Sequence, residues 1–424
     1  MTVCRRLATL GAANDAAEHG MSDDGRPKVA HICTVDLSLR FLLLDQLQAL
    51  QRAGYEVVAI SSPGPDVVPF VQAGIAHVPV SMSRRPFSPL ADLTSLIALW
   101  RALRTERCAI VHTHNPKPGL LGQVAARLAG VPIVCNTVHG FYFHEHQRGP
   151  ARRFYMLLER IAGRFSDLVF FQSREDMHTA AQQHICRAEQ IRYLGNGIDL
   201  QRFSRPAVAT LDLTAKRRRL GLPAQGPIVG FVGRLVREKG VLDLLAAARV
   251  IRMHAPQTRF LLVGPVDTPK QDAVAPAAAE AYGVADICHF VGKRDDLPEL
   301  LALMDVLALP SYREGLPRAV MEASAMEVPC VVTNVRGCRE AVHHGRNGLI
   351  VPLADVPALA AAIGSLLAEP ETARRMGEEG RRIAVEEFDE QVVFGRVKAE
   401  YARQLREKGL RAPEPREQVV PQSG

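Results

Sequence analysis

Short apolar runs alternate with segments of helical periodicity along most of this 424-residue chain. Apolar runs of this length are typical of buried strands, and the periodic segments between them are typical of helices that cover a sheet. Because a helix that joins two parallel strands makes a right-handed crossover, the alternation predicts parallel sheets covered on both faces. The sequence therefore predicts an α/β protein.

The strand–helix alternation occurs twice, and a polar stretch that contains the run Lys216-Arg217-Arg218-Arg219 separates the two series. Two successive α/β domains predict two Rossmann-like domains facing a central cleft, a usual place for a ligand. The predicted organisation is a disordered extension at 1–27, an N-terminal domain at 28–200, a linker at 201–224, a C-terminal domain at 225–385, a helix at 386–411 that crosses back to the first domain, and a tail at 412–424.

Composition excludes several classes of protein. Aromatic residues make up only 5% of the chain, which argues against a stacking platform for nucleic acid, and we expect no nucleic-acid partner. The eight cysteines are scattered and form no C-x-x-C pair, which predicts a reduced, cytoplasmic protein. No run approaches the ~20 apolar residues needed to span a bilayer.

Positive charge is concentrated in one part of the first series. The net charge of the chain is +7, and residues 84–164 alone carry twelve Lys/Arg against four acidic residues, or +8. A basic surface of this kind suits anionic lipid or a phosphorylated substrate. We therefore expect an anionic membrane surface as a partner, with the alternative that the segment is only a solvated basic face.

The first loop of the second series, Gly233-Arg234-Leu235-Val236-Arg237-Glu238-Lys239-Gly240, follows a predicted strand. Gly233 allows close approach of a ligand to the backbone, and Arg234 and Lys239 place two cations beside a helix N-terminus. Such a loop suits a diphosphate whose negative charge grows as a nucleotide leaves. The spacing is neither that of a P-loop nor G-x-G-x-x-G. A solvated basic turn is the alternative.

Two carboxylates follow a later strand of the same series. Glu314 lies in the loop after Leu309, and Glu322 lies in the helix that Pro317 begins. Ligands of open α/β sheets bind at the carboxyl ends of strands, where these carboxylates can accept hydrogen bonds from hydroxyl groups. The alternative is a solvated i,i+4 salt bridge between Arg318 and Glu322. Together with the basic loop, the pattern favours a nucleotide-sugar site.

Histidines mark the ends of two strands in the first series. His139 follows an apolar strand and would face the cleft, although a lone histidine there is more often a packed residue. His112 and His114 share one strand face, and no third metal ligand has suitable spacing. The chain has no Asp-x-Asp motif for a Mg²⁺ clamp on a diphosphate, so we expect no metal and no cofactor.

Four motifs occur in a fixed order along the chain: Thr137-Val138-His139-Gly140, Asn196-Gly197-Ile198-Asp199, Gly233-Arg234-Leu235 with Glu238-Lys239-Gly240, and Glu314-x₇-Glu322. Together they resemble the retaining glycosyltransferases of family four, over about Lys28 to Tyr401. The resemblance implies the GT-B fold of two Rossmann-like domains. Val335 to Glu340 with Asn347-Gly348-Leu349 resembles members that build bacterial capsule, exopolysaccharide or O-antigen units on a polyprenyl diphosphate.

The resemblance also implies roles for individual residues. Arg234 and Lys239 would hold the donor diphosphate and stabilise the leaving nucleotide. Glu314, with the backbone N–H groups of Gly315 and Leu316, would fix hydroxyls of the donor sugar.

Further roles follow from the same resemblance. Glu322 would accept hydrogen bonds from the ribose, and the backbone from Gly292 to Arg294 would read the uracil edge. His139 would lie beside the transferred sugar. Candidates for acceptor or cleft contacts are His114, Lys117 and Asn196.

The loop after the first strand, Val35 to Arg40, departs from many relatives because it has no glycine. The function that the resemblance implies is transfer of a sugar, with retention, from a UDP-sugar to a polyprenyl-diphosphate-linked saccharide acceptor, at the inner face of the plasma membrane. Two alternatives stay open: an isomerase similar to UDP-GlcNAc 2-epimerase, and a non-catalytic subunit that binds sugar nucleotides.

Overall fold

The computed structural model describes residues 20–21, 24–85, 88–114, 116–143, 149–267 and 272–413. The chain divides into two units, one of Met1–Leu194 with Val393–Gly424 and the other of Gly195–Val392. The predicted extension lies mostly outside the described residues, and so does the predicted tail from residue 414 onwards.

The first unit contains a sheet of seven parallel strands in the order β3-β2-β1-β4-β5-β6-β7. Its central strands are buried along their whole length, as expected for a parallel sheet that helices cover on both faces. The strands are β1 Lys28–Val35, β2 Glu56–Ser62, β3 Ala76–Pro79, β4 Ile110–His114, β5 Ile133–Val138, β6 Leu168–Phe171 and β7 Ile191–Tyr193.

In the described part of the first unit, six helices connect these strands. Helix α1 buries Leu39, Leu43, Leu47 and Leu50, which recur at helical spacing, against the sheet. The helices are α1 Asp36–Arg52, α2 Val68–Gln72, α3 Pro89–Glu106, α4 Pro116–Leu128, α5 Pro150–Phe165 and α6 Arg174–Gln182.

Helix α1 corrects the prediction of a loop after the first strand. It begins at Asp36, so the glycine-free segment from Val35 to Arg40 is largely its first turns. The carboxylate of Asp36 complements the helix dipole and also accepts a 2.8 Å hydrogen bond from the backbone N–H of Asp66. A sharp glycine turn is therefore not needed at this position.

The second unit contains a sheet of six parallel strands in the order β10-β9-β8-β11-β12-β13. The α/β class and the parallel sheets predicted from the sequence are thus confirmed. The strands are β8 Ile228–Val232, β9 Arg259–Val263, β10 Cys288–Phe290, β11 Val306–Leu309, β12 Cys330–Thr333 and β13 Gly348–Val351.

The helices that follow Gly195 differ in length, and the two longest lie near the C-terminus. They are α7 Arg205–Val208, α8 Leu213–Arg219, α9 Val241–His254, α10 Ala278–Ala281, α11 Leu297–Ala302, α12 Arg318–Ala325, α13 Cys338–Ala341, α14 Val356–Ala368, α15 Pro370–Glu387 and α16 Glu390–Glu407.

The segment 201–224, predicted to be a linker, is folded into the second unit. It forms α7 and α8, and its apolar side chains Phe203, Val208 and Leu222 are buried in the second core. The polar run in α8 concealed this packing in the sequence, because its charged residues lie between the three buried positions.

The last helix, α16, contributes to the core of the first unit. Val393, Phe394, Val397, Tyr401 and Leu405 are buried among side chains from β1, β4 and α1. Their spacing places them on one helical face, which explains why the helix packs along this side.

Each sheet has a point where the strand order reverses, between β1 and β4 in the first and between β8 and β11 in the second. Loops that leave neighbouring strands there in opposite directions open a crevice at the carboxyl ends of the strands. The predicted histidine and glutamate motifs follow strands at or next to these points.

The described residues contain no helix that is both long and apolar enough to cross a bilayer. Their seven cysteines are all free thiols, and six of them are buried.

Candidate active site

Two loops meet at the switch point of the second sheet, one after β8 and one after β11. The loop after β8 contains a 3₁₀ turn, Arg237–Lys239, and ends at Gly240. Gly240 has a φ of 72°, and a Cβ atom there would lie 1.9 Å from the carbonyl oxygen of Pro310. Only glycine allows this approach. The backbone N–H of Tyr312 then donates to the carbonyl oxygen of Glu238 at 2.9 Å, which joins the loops.

This approach brings together two residues that the sequence placed in separate motifs. Lys239 Nζ donates to Glu314 Oε1 at 2.5 Å, and Ser311 Oγ donates to the same oxygen at 2.7 Å. The Glu314 side chain is only 8% exposed, whereas that of Lys239 is 20% exposed. Glu314 therefore holds the ammonium group of Lys239 in place at the carboxyl ends of β8 and β11.

Arg234 has a carboxylate partner of its own. Its Nη1 atom lies 2.7 Å from Asp267 Oδ2, and Asp267 is buried while the Arg234 side chain is 34% exposed. The pair orients the guanidinium group and leaves part of its surface accessible. Since guanidinium groups present several donors in one plane, Arg234 can bind an anion while it keeps Asp267.

Glu322 lies in α12 and is buried. Arg318 Nε is 3.5 Å from its carboxylate, so the i,i+4 contact foreseen as the alternative is present. Burial raises the pKa of Glu322, and the positive charges of Arg318 and Arg202 oppose that rise. A partly desolvated carboxylate of this kind is a strong acceptor for ligand hydroxyl groups.

The loop between Glu314 and α12 is fixed by its backbone. A Cβ atom on Gly337, whose φ is 71°, would lie 1.5 Å from the carbonyl oxygen of Gly315. Asn196 Nδ2 donates to the carbonyl oxygen of Leu316 at 3.1 Å. Asn196, predicted to contact the acceptor or the cleft, thus supports the loop that carries the predicted sugar-binding N–H groups.

The segment from Gly292 to Arg294 lies at the end of β10. The carbonyl oxygen of Gly292 accepts from the backbone N–H of Gly264 at 2.8 Å. Arg294 forms two hydrogen bonds to Asp296, at 2.8 and 2.6 Å, and Lys216 contacts the same carboxylate. These cations hold the pKa of Asp296 well below its usual range, Arg294 more than Lys216. The Arg294 side chain is therefore engaged with Asp296, and base reading by the backbone stays a prediction.

The first unit contains a buried group of histidines in the middle of β1, in the second half of β4 and directly after β5. His31 pairs in register with His112 across β1 and β4, and the rings of His112 and His114 stack with centroids 4.3 Å apart. His31, His112 and His114 are at most 1% exposed, and His139 is partly buried. Tyr401 of α16 reaches this group from the C-terminal end of the chain.

Hydrogen bonds join these side chains into a single chain of donors and acceptors. In order, they run between Thr137 Oγ1 and His112 Nε2 (2.7 Å), His112 Nδ1 and Tyr401 OH (2.5 Å), Tyr401 OH and His31 Nε2 (3.3 Å), His31 Nδ1 and His114 Nε2 (3.0 Å), His114 Nδ1 and His139 Nε2 (3.0 Å), and His139 Nδ1 and Gln172 Oε1 (3.1 Å).

The protonation state of these histidines determines which atom donates in each of these hydrogen bonds. Burial lowers the pKa of His31 to about 3 and that of His139 to about 4, and it lowers the pKa values of His112 and His114 well below the usual range. Each ring is therefore neutral at pH 7 and carries one proton. Gln172 Oε1 can only accept, so His139 donates to it from Nδ1–H and accepts at Nε2. The same reasoning passes from each ring to the next, so every ring carries its proton on Nδ1. At the other end, the Thr137 hydroxyl donates to His112 Nε2. We call this arrangement the histidine chain.

The histidine chain corrects the statement that no third metal ligand accompanies His112 and His114. His31, on the neighbouring strand, supplies it, and one ligand atom from each of the three lies within 4.8 Å of the others. A metal ion there would displace hydrogen bonds that now use both nitrogens of all three rings. Sequence spacing did not reveal His31, because its position depends on the register between strands.

Lys117, predicted to contact the acceptor, lies in the first turn of α4 rather than in a loop. Its Nζ atom lies 2.5 Å from Asp92 Oδ1 of α3, and both side chains are largely buried. The other acceptor candidate, His114, is inside the histidine chain. Neither residue is near the donor candidates in sequence, and both belong to the first unit.

Comparisons with known proteins place this chain in a family. The profile described as "Glycosyl transferases group 1" matches residues 212–383, and the profile described as "Glycosyl transferase 4-like domain" matches residues 42–197. A UDP-Gal:alpha-D-GlcNAc-diphosphoundecaprenol alpha-1,3-galactosyltransferase from Escherichia coli is 30% identical over 79% of this chain and 86% of its own length. The chain is a family-four glycosyltransferase.

Two further proteins are similar to this glycosyltransferase over most of its length. The capsular polysaccharide biosynthesis glycosyltransferase CapM of Staphylococcus aureus is 27% identical over 90% of this chain and 98% of its own. The crystal structure of Anabaena Alr3699/HepE in complex with UDP and glucose has a TM-score of 0.76 at 22% identity, covering 89% of this chain and 99% of its own. The second likeness supports the GT-B fold.

Proposed function

We propose that this glycosyltransferase moves a sugar from a UDP-sugar to a polyprenyl-diphosphate-linked saccharide in the synthesis of a bacterial surface polysaccharide, with retention of the anomeric configuration. The observation that carries the proposal is the contact between Lys239 and Glu314, which joins the predicted diphosphate loop to the predicted sugar loop at one switch point. The acceptor class is supported by the Escherichia coli relative, whose name includes a diphosphoundecaprenol-linked sugar.

In this proposal the second unit acts on the donor. Arg234 and Lys239 stabilise the negative charge that grows on the leaving diphosphate, and such preorganised charge is usually the largest catalytic term. Glu314 orients Lys239 and, with the N–H groups of Gly315 and Leu316, fixes sugar hydroxyls. Glu322 accepts hydrogen bonds from the ribose.

No side chain of the candidate site is assigned as a nucleophile. The leaving phosphate itself takes the proton of the acceptor hydroxyl on the face from which it departs. The new glycosidic bond then forms on that same face, which retains the configuration. Positioning and electrostatic stabilisation supply the acceleration, and no metal is required.

The basic segment 84–164 in the first unit would hold the enzyme on an anionic membrane surface, at the cytoplasmic face where lipid-linked acceptors are extended. Each well-placed cation contributes about 1 kcal/mol to such binding. Flotation with phosphatidylglycerol vesicles should show binding that weakens with salt. Absence of binding at low salt would remove this part of the proposal.

The whole proposal is tested with a panel of UDP-sugars and GlcNAc-diphosphoundecaprenol as acceptor. Mass spectrometry of the lipid product identifies the sugar, and NMR coupling constants give its anomeric configuration. Activity should survive dialysis against EDTA. Inversion of configuration, or an absolute need for Mg²⁺, would contradict the mechanism.

Two outcomes of the same panel would favour the alternatives. An epimer formed from UDP-GlcNAc without acceptor would indicate an isomerase, which the membership in the glycosyltransferase family argues against. Binding of UDP without transfer to any lipid-linked acceptor would indicate a non-catalytic subunit.

A further inference from the structure

A cavity of about 360 Å³ lies within the first unit, between the start of α3, α4 and α5. Its volume falls in the range of roughly 300–1,000 Å³ that is usual for small-molecule sites. Apolar side chains form most of its walls, among them Leu120 and Leu121 of α4 and Phe154 and Leu158 of α5. A sugar would find few hydrogen-bond partners on such walls, whereas an apolar chain would match them.

Large apolar side chains are also exposed beside the cavity. Leu90 is 83% exposed and Leu93 is 55% exposed, and they flank the lining residue Asp92 in the first turns of α3. Leu157, next to the lining residue Leu158 in α5, is 52% exposed. Exposed apolar patches on this scale mark contact with an apolar partner or with lipid.

Positive charge accompanies the apolar walls. Arg84, Arg85 and Lys117 line the cavity, and Lys117 is held by Asp92. These cations suit an anionic head group, and a diphosphate most of all, because it carries several oxygens for charge-assisted hydrogen bonds.

The carboxyl group of Glu159 also lines the cavity. Glu159 has no hydrogen bond or ion pair within the described part of the chain. Burial raises its pKa to about 7, and the negative charge of Asp176 adds to that rise. Near neutral pH this carboxyl is therefore often uncharged, so it opposes neither an apolar chain nor a nearby anion as strongly as an ordinary glutamate would.

We propose that the cavity binds the first isoprene units of the lipid-linked acceptor, with the diphosphate of that acceptor held by Arg84, Arg85 and Lys117. This assignment rests on the proposed function for the acceptor class. The contacts that support it are independent of the donor site, since every residue that lines the cavity belongs to the first unit. The exposed leucines beside the cavity would then contact the bilayer from which the chain enters.

The test uses the full-length protein and farnesyl diphosphate, a short isoprenoid diphosphate without a sugar, as the probe. Calorimetry measures its dissociation constant for the unmodified protein, for Leu120→Trp, which fills the cavity, and for Arg85→Ala. Leu128→Trp is the matched control, because Leu128 lies in the same helix, is 61% exposed and does not line the cavity. Circular dichroism verifies that each variant is folded.

We expect Leu120→Trp and Arg85→Ala each to weaken farnesyl diphosphate binding about tenfold or more, with Leu128→Trp within about twofold of the unmodified protein. The KM for the lipid-linked acceptor should rise in parallel while the KM for the UDP-sugar stays constant. Equal affinity for inorganic diphosphate and farnesyl diphosphate would overturn the proposal, because the apolar walls would then contribute nothing.

Binding and transfer separate the two proposals. Farnesyl diphosphate binding that depends on Leu120, in a protein that transfers no sugar to lipid-linked acceptors, would support the cavity and refute the proposed function. Transfer to a lipid-linked acceptor that is unaffected by Leu120→Trp and Arg85→Ala would overturn the cavity and leave the function intact. Loss of vesicle binding alone, with unchanged affinity for farnesyl diphosphate, would show that these residues contact only the membrane and would also overturn it.

Discussion

The polar side chains at the two switch points differ in charge: those of the second unit form ion pairs, whereas those of the first unit are neutral histidines. In the second unit, Lys239 forms an ion pair with the buried Glu314 and Arg234 with the buried Asp267, and both cations keep part of their surface exposed. In the first unit, the histidine chain is buried, and burial keeps its rings neutral. Charges of this kind suit a reacting diphosphate. A neutral chain of fixed proton positions suits rigid orientation of a side chain beside a substrate.

Removal of Lys239 should have the largest effect. Lys239→Ala takes away a cation that, in the proposed mechanism, stabilises the leaving diphosphate, so kcat should fall by about 10²–10³-fold. Initial rates with the UDP-sugar and the acceptor measure this loss. Arg252→Ala is the control, because Arg252 forms an exposed ion pair with Asp286 in the same unit and should change the rate by less than about twofold. A near-normal rate in Lys239→Ala would contradict the donor-site assignment.

Glu322→Gln should have a smaller effect, confined to donor binding. The amide oxygen still accepts a hydrogen bond but has lost its charge, so the KM for the UDP-sugar should rise about tenfold, with a smaller change in kcat. Because burial raises the pKa of Glu322, its ionised form opposes folding at high pH, and the thermal midpoint at pH 8 should not fall in the variant. A fall in the midpoint with unchanged KM would show that Glu322 is only a structural partner of Arg318.

The neutrality of the histidine chain predicts a pH dependence of stability. Folding depresses the histidine pKa values from 6.5 to about 3 for His31 and about 4 for His139. The unfolded chain therefore binds more protons, and stability that is fully present above pH 6.5 is lost as the pH falls toward those values. Each such histidine contributes about 1.4 kcal/mol per pH unit within this window.

Thermal midpoints between pH 7.5 and 5 measure this dependence, since few carboxylates titrate in that range. His31→Gln should reduce the slope. His178→Gln, a change at an exposed histidine of the same unit, should leave it unchanged. A flat profile for the unmodified protein would mean that the chain is protonated in the folded state.

Tyr401→Phe should have the smallest effect on activity and a clear effect on stability. It removes a hydroxyl that links His112 to His31, and the free energy of unfolding should fall by about 1–2 kcal/mol. Tyr55→Phe is the matched control, because Tyr55 is equally buried and has no hydrogen bond through its hydroxyl among the described residues.

The tautomer of His112 separates hydrogen bonding from mere packing. Without the Tyr401 hydroxyl, His112 Nδ1–H has no acceptor, so ¹⁵N NMR should show mixed Nδ1–H and Nε2–H forms at His112. His139 should keep its proton on Nδ1, because Gln172 Oε1 still accepts from it, and the rate should change by less than about twofold. A mixed tautomer at His139 would contradict the direction assigned to the histidine chain.

The same contrast explains what the sequence could reveal. The donor motifs are local: Lys239 and Glu314 each lie in a loop after one strand, so the sequence alone predicts them as candidates, and the structure brings them into contact. The histidine chain depends on the register of β1 and β4 and on a helix 289 residues beyond His112. Residue spacing reveals neither the strand register nor this long-range contact, so sequence reasoning missed His31, Gln172 and Tyr401.

The boundaries of helices and strands were likewise predictable where they depend on local sequence and were missed where they depend on packing. The strands were predictable because parallel strands buried on both faces are continuous apolar runs. The segment 201–224 was read as a linker because its charges dominate its composition, although Phe203, Val208 and Leu222 anchor it in a core. The start of α1 at Asp36 was missed because a glycine turn was expected there.

The packing of α16 in the first core has a consequence for synthesis on the ribosome. Six residues from Val393 to Leu410, among them the tyrosine of the histidine chain, complete a core whose other buried members precede residue 195. The first unit therefore cannot acquire its final packing as soon as its own strands emerge, but must wait until the entire second unit has been translated. A nascent chain arrested before residue 393 would leave exposed the apolar side chains of β1 and α1 that α16 covers, so it would be prone to aggregate.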